Sequence, residues 1–117
     1  MTKNFRHFTA GPDFAGRTWQ VDFLWLQTAV SIRHSDSIDV KFLLASGETR
    51  IEKVVSLRHP DLIDLSRTAG RPLTDSWCMA LGARHLVKMI ETGADFEKAL
   101  VTVEPPELAR YSAMDGS

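Results

Sequence analysis

The chain has 117 residues, of which 44% are apolar and 25% are charged, and its formal net charge is −1. This is the composition of an ordinary folded protein with one core. Because the 14 basic side chains are balanced by 15 acidic ones, neither nucleic acid nor a membrane surface is expected as a partner. We therefore expect one domain over residues 1–117, with an arm at 1–16 and a frayed tail at 114–117.

The cysteine content and the apolar runs bear on location. Cys78 is the only cysteine, so no internal disulfide can form. Residues 1–7 lack the apolar core of a signal peptide. The longest dense apolar run, residues 23–26, is far too short to span a bilayer. These features predict a cytoplasmic location and no membrane segment.

The stretch from Arg17 to Leu57 predicts an antiparallel meander of three to four strands. Its apolar residues alternate with polar ones, first at Trp19, Val21, Phe23 and Trp25 and then at Ile38, Val40, Phe42 and Leu44. A period of two is typical of a half-buried strand. A short strand near residues 4–9 would supply the fourth member of the sheet.

The first long strand, predicted from about Thr18 to Arg33, changes its parity on the way. Its apolar residues are odd-numbered up to Trp25, whereas Val30 and Ile32 are even-numbered. A slip of one residue sends every later side chain to the other face. We therefore expect a bulge or break near residues 27–29, or else two separate strands joined there.

Lys53 interrupts the apolar face of the third long strand, which is predicted at about residues 49–57. It has the same parity as Ile51, Val55 and Leu57. Two explanations are open. Either the strand lies at an edge, where an inward lysine discourages pairing with other chains, or a bulge displaces the lysine.

Helical patterning begins at Pro60, and we expect two to four helices packed mainly on one face of the sheet. Gly70 and Pro72 predict the end of the first helix, while Thr74 and Gly93 predict the caps of a long helix at 75–92. A short turn is expected at 96–100, and a last helix from residue 104 through 114. The predicted fold class is therefore α+β.

No residue set carries a catalytic, metal or cofactor signature. The four histidines, His7, His34, His59 and His85, have no metal-ligand spacing among themselves or with Cys78. His85 lies at the border of the apolar stripe of the long helix, where a packed histidine with one satisfied hydrogen bond is the usual case. Cys78 and His85 are two helical turns apart, roughly 10 Å along the axis, which is too far for direct proton transfer. We predict no catalytic residue, no metal and no cofactor.

The surplus of apolar sheet residues favours binding over catalysis. If Trp19, Val21, Phe23 and Trp25 enter the core, then Leu24 and Leu26 point the other way. Either the N-terminal arm covers them, or they are candidates for an interface. The leading hypothesis is therefore a cytoplasmic protein-interaction module that binds a protein partner or a second copy of itself through an apolar sheet surface. The alternative is a small-ligand-binding or enzymatic domain with a pocket between the sheet and the helix at 75–92. Its candidate lining residues are Trp25, Lys53, Trp77 and His85.

Overall fold

A computed structural model describes residues 5–29 and 36–114, and within these ranges the chain forms five strands and three helices. In chain order they are β1 (His7–Ala10), β2 (Trp19–Ala29), β3 (Ser37–Ser46), β4 (Thr49–Arg58), α1 (His59–Ala69), α2 (Asp75–Thr92), β5 (Leu100–Val103) and α3 (Pro105–Ala113). The fold is α+β, as the sequence predicts.

The strands form one sheet in the order β1-β2-β3-β4-β5. The first four are antiparallel neighbours, whereas β5 lies parallel to β4 and is reached through α1 and α2. The prediction of three to four strands was therefore wrong by one. The missed strand is β5. The turn predicted at 96–100 includes only its first residue, Leu100, and a strand of four residues is too short to show a period of two.

The irregularity in β2 lies earlier than the sequence suggested. The register with β3 shifts between Phe23 and Trp25, so Leu24 is the extra residue of a bulge, and the predicted break near 27–29 was wrong. Beyond the bulge Leu26 stands opposite Val40, whereas Trp25 stands opposite Lys41. The bulge thus moves Trp25 to the face opposite the one that Trp19 occupies. Val30, Ile32 and His34 lie outside the described residues.

All three helices bury their apolar side chains against the same face of the sheet. The core joins Val40, Phe42 and Leu57 of the sheet with side chains such as Leu62 of α1, Leu86 of α2 and Leu108 of α3. Gly82 is where α2 comes closest to β3. A Cβ at this position would lie 3.3 Å from the Cβ of Val40, so a larger residue would force the helix away.

The ends of α1 and α2 are where the sequence predicts them. Gly70 follows α1 with φ of 66°, and Gly93 follows α2 with φ of 76°, both in the left-handed region that glycine adopts without strain. The side chain of Thr74 accepts a hydrogen bond from the backbone N–H of Trp77 at 3.2 Å. These caps are local interactions, so the sequence alone is sufficient to place them.

Candidate functional site

The sheet leaves one face free of helices, and we call this side the outer face. The side chains that point to it belong to alternate residues of each strand, starting with His7 and Thr9 on β1 and ending with Leu100 and Thr102 on β5. Since the described helices all pack on the opposite face, none of them covers this one. A broad sheet surface is thereby left available within the described part of the chain.

An apolar row crosses the outer face at its middle. The register aligns Trp25 of β2 with Lys41 of β3, Val54 of β4 and Leu100 of β5. Leu100 is 54% exposed. Leu43 lies on the same face, two residues beyond Lys41 along β3. Sequence reasoning missed Val54 and Leu100. Val54 was hidden by its position between Lys53 and Val55, and Leu100 by the missing prediction of β5.

Among the described residues, Lys41 interrupts this row and the other charged side chains flank it, with three acids and three bases on the face. The acids on the outer face are Asp22, Asp39 and Glu52, and the bases are Lys41, Arg50 and Arg58. Lys41 forms an ion pair with Glu52 at 2.7 Å, and its ammonium group lies 5.5 Å from the centre of the Trp25 ring. The face therefore carries no excess of either charge.

The two residues predicted for an interface do not lie together on this surface. Leu24 is the extra residue of the bulge and is 41% exposed. Leu26 is partly buried and packs against the core on the helix side of the sheet. Of the three consecutive residues, Trp25 is the one that the register places on the outer face.

The four residues predicted to line one pocket lie in four separate places. Trp25 lines a cleft of about 240 Å³ between β2 and the first turn of α2, whose Asp75, Ser76 and Met79 form the other wall. Trp77 is buried in the core, and its indole Nε1 finds no hydrogen-bond partner within residues 5–29 and 36–114. Lys53 and His85 are buried elsewhere, as described next.

Lys53 is a buried residue of β4, one position before Val54, where the pairing with β5 begins. The register of β3 and β4 is regular through this position, so no bulge displaces the lysine and it points inward. Its ammonium group donates hydrogen bonds to the carbonyl oxygens of Phe96 and of Lys98, the latter at 2.7 Å. Burial lowers the pKa of Lys53. The side chain thus fastens the segment that precedes β5 to the sheet.

His85 belongs to a chain of buried and partly buried polar groups between α2 and α3. The hydroxyl of Tyr111 donates to Glu107 at 3.2 Å and lies 2.9 Å from Nδ1 of His85. With that hydroxyl proton directed to Glu107, His85 donates through Nδ1. Lys88 closes the chain with a hydrogen bond of 2.5 Å to Glu107. Burial lowers the pKa of His85, so its neutral form is favoured.

This polar chain ties two helices together. Lys88 is on α2 and Glu107 on α3, and the hydrogen bond from Lys88 lowers the pKa of Glu107. Burial raises the pKa of Tyr111, which keeps its hydroxyl protonated as a donor. Each group has a partner, as buried polar groups require, and the arrangement is accounted for by helix packing.

Cys78 lies in the core near the start of α2, and burial raises its pKa to about 11. Such a thiol is protonated and weakly nucleophilic at neutral pH. The geometry therefore gives no support to a nucleophilic role for this side chain.

Searches for other kinds of site and for related proteins gave negative results. In the described ranges, no group of three or more His, Cys, Asp or Glu side chains could hold a metal ion. None of the helices in these ranges is long and apolar enough to cross a membrane. Comparisons with protein families, with curated proteins and with solved structures found no match.

Proposed function

We propose that the protein is an interaction module that associates with a second copy of itself through the outer face of its sheet. The observation that carries this proposal is the row of Trp25, Val54 and Leu100 on a face that no described helix covers. Leu100 is exposed, whereas Trp25 and Val54 are half-buried. Apolar side chains that remain accessible on an uncovered sheet face are typical of protein interfaces.

The charges of the outer face favour a second copy over a partner of one dominant charge. A two-fold axis brings the same surface from both molecules together. With three acids and three bases on the surface, such a contact can match each sign with its opposite. Nucleic acid, in contrast, requires an excess of positive charge, which this face lacks.

The size of the face is also sufficient for a dimer. The sheet is five strands wide, and its strands contain 39 residues in all, with eleven in the longest, β2. At about 4.8 Å between strands and about 3.3 Å per residue, it presents roughly 600 Å² per molecule. Two such faces bury roughly 1,200 Å², which is at the lower end of specific interfaces.

Sedimentation equilibrium of two matched variants tests the proposal. Leu100→Lys places a charge in the apolar row, and we expect it to weaken dimerisation by about tenfold or more, as replacement of an apolar anchor residue of an interface does. Ile63→Lys is the control, since Ile63 is 39% exposed but lies on α1, away from the outer face. Equal association constants for the two variants would contradict the proposal.

A cytoplasmic location is part of the same proposal. Its support is that the single cysteine, Cys78, is a buried free thiol, which is compatible with a reducing compartment. The alternative function as a ligand-binding or enzymatic domain has less support in the described part of the chain, because Trp25 lines the cleft at β2, Trp77 is buried in the core, and Lys53 and His85 make structural hydrogen bonds elsewhere.

A further inference from the structure

The edge of the sheet beside β2 is covered over only half of its length. The pairing of β1 with β2 ends at His7 and Asp22, and one further hydrogen bond of 2.8 Å joins the N–H of Phe23 to the carbonyl of Arg6. The chain then leaves the edge, because Phe5 is buried and packs against Phe8 with ring centres 6.0 Å apart. Within the described part of the chain, residues 24–29 pair only with β3.

Apart from the bulge at Leu24, this open edge lacks the features that normally prevent strand pairing. Residues 24–29 read LWLQTA and contain neither a charged residue nor a proline. Natural edges usually carry lysine, proline or a cover that blocks the approach of another strand. Six residues at about 3.3 Å each offer roughly 20 Å of backbone for pairing.

The cleft lined by Trp25 lies at this same edge. Trp25 belongs to the outer face and Leu26 to the helix side, yet both line the cleft, so the cleft must open where the two faces meet. Its remaining walls are Phe23 and Arg6 on one side and the first turn of α2 on the other. A volume of about 240 Å³ beside an unpaired strand suits one apolar side chain of an added strand.

We propose that residues 24–29 of β2 form a strand-addition site for an extended peptide segment of another protein. The peptide extends the sheet antiparallel to β2 and inserts one apolar side chain between Leu26 and Met79. This site shares Trp25 with the outer face but does not depend on dimerisation there. Main-chain hydrogen bonds supply the affinity in this mode of recognition, and the side-chain pocket supplies the specificity.

Charge gives the added peptide a direction. A strand antiparallel to β2 runs the same way as β1, so its carboxyl end approaches Arg6 where β1 begins. The guanidinium group of Arg6 lies over the Phe23 ring, 5.5 Å from its centre, and lines the cleft. The site therefore favours a peptide that ends in a carboxylate or an acidic residue at this point.

A second copy of the chain fits this edge less well than a peptide does. Antiparallel pairing of two identical edges requires a two-fold axis perpendicular to the sheet, which puts both α2 helices on the same side of the joined sheet. The first turn of α2 already lines the cleft through Asp75 and Ser76. In such a pairing the first turns of both α2 helices, each with its Asp75 carboxylate, would crowd the same side of the joined edges.

Selection from a displayed library of random twelve-residue peptides, with the full-length protein as bait, tests the proposal. We expect selected peptides to share an apolar residue at a fixed distance before an acidic residue or a free carboxyl end. Methylation of every second backbone amide should weaken binding roughly threefold to tenfold per site, whereas methylation of the intervening amides should not. Arg6→Gln should weaken peptides with a free carboxyl end and leave their amidated forms unchanged.

A matched pair of variants locates the binding. Ser76→Trp fills the cleft from an exposed position on α2 and should abolish peptide binding, whereas Arg67→Trp on α1 should bind as the wild type does. Selection of no peptide, or binding that Ser76→Trp leaves intact, would overturn the proposal. So would a conversion from dimer to monomer by Ser76→Trp, because the edge would then be occupied by a second copy.

Discussion

His85 is buried, with the cation of Lys88 nearby, and this environment determines how protonation of His85 affects the stability of the fold. Burial is the main cause of its lowered pKa, while Glu107 and Asp95 oppose the shift and Lys88 adds to it. The unfolded chain therefore binds a proton at His85 at a higher pH than the folded chain does. It follows that stability falls as the pH drops below the ordinary histidine value of 6.5.

Replacement of this histidine should flatten that dependence. Between about pH 7 and pH 5, we expect the unfolding free energy of His85→Gln to decrease less than that of the wild type, since glutamine does not titrate there. Urea unfolding at several pH values measures the two slopes. Protonation of Glu107 also lowers the unfolding free energy, but it occurs at lower pH, because the pKa of Glu107 is lowered from 4.5. Identical slopes for the two proteins would show that His85 is not held neutral.

Lys53 provides a second test at the residue scale. Lys53→Met removes the hydrogen bonds to the carbonyls of Phe96 and Lys98. We expect a loss of about 1–3 kcal/mol of unfolding free energy, as for hydrogen bonds to charged groups, and faster amide exchange in residues 96–99. Lys41→Met on the outer face serves as the control and should cost less than about 1 kcal/mol. Unchanged exchange in residues 96–99 would contradict the fastening role.

Single residues also show what the sequence can and cannot predict. The parity of Lys53 correctly indicated an inward side chain, but both expected reasons were wrong, because the register with β3 has no bulge and β4 lies between β3 and β5 instead of at an edge. Trp25 misled the prediction, because an amphipathic indole fits either a core or a wet face beside Lys41. Polar partners of His85 such as Tyr111 are 26 residues away and become neighbours only through the packing of α3 on α2.

At the scale of elements, the helix ends and the antiparallel meander of β2, β3 and β4 were predictable, whereas β5 and the position of the bulge were not. Thr74, Gly70 and Gly93 act on backbone groups within a few residues, so their effect can be read locally. The parallel pairing of β5 with β4 joins residues more than forty positions apart, such as Val54 and Leu100. The bulge at Leu24 likewise depends on how β3 is aligned, which periodicity along one strand does not reveal.

The cap of α2 can be tested directly. Thr74→Ala removes the acceptor for the N–H of Trp77 and should cost about 1 kcal/mol of unfolding free energy. Thr74→Ser keeps the hydroxyl group and should stay near the wild type. Thermal or urea unfolding of the three proteins measures the difference. Equal losses for Ala and Ser would indicate that the methyl group of Thr74, and not its cap, stabilises the helix.

At the scale of the whole molecule, the sheet offers two distinct surfaces for association. The outer face joins apolar residues from β2 to β5, while the open edge at residues 24–29 exposes backbone groups of β2 alone. Trp25 is common to both, because it lies on the outer face and lines the cleft at the edge. Substitution of Trp25 should therefore impair both kinds of binding, whereas Leu100→Lys and Ser76→Trp should separate them.

The central claim is that a second copy covers the outer face, and the mass of the wild-type protein in solution tests it most directly. Sedimentation equilibrium over a range of concentrations should show a transition from the monomer mass of 13.1 kDa to twice that value. If the mass remains at the monomer value up to a protein concentration of about 1 mM, the dissociation constant of any dimer exceeds about 1 mM. Such weak association would contradict the claim.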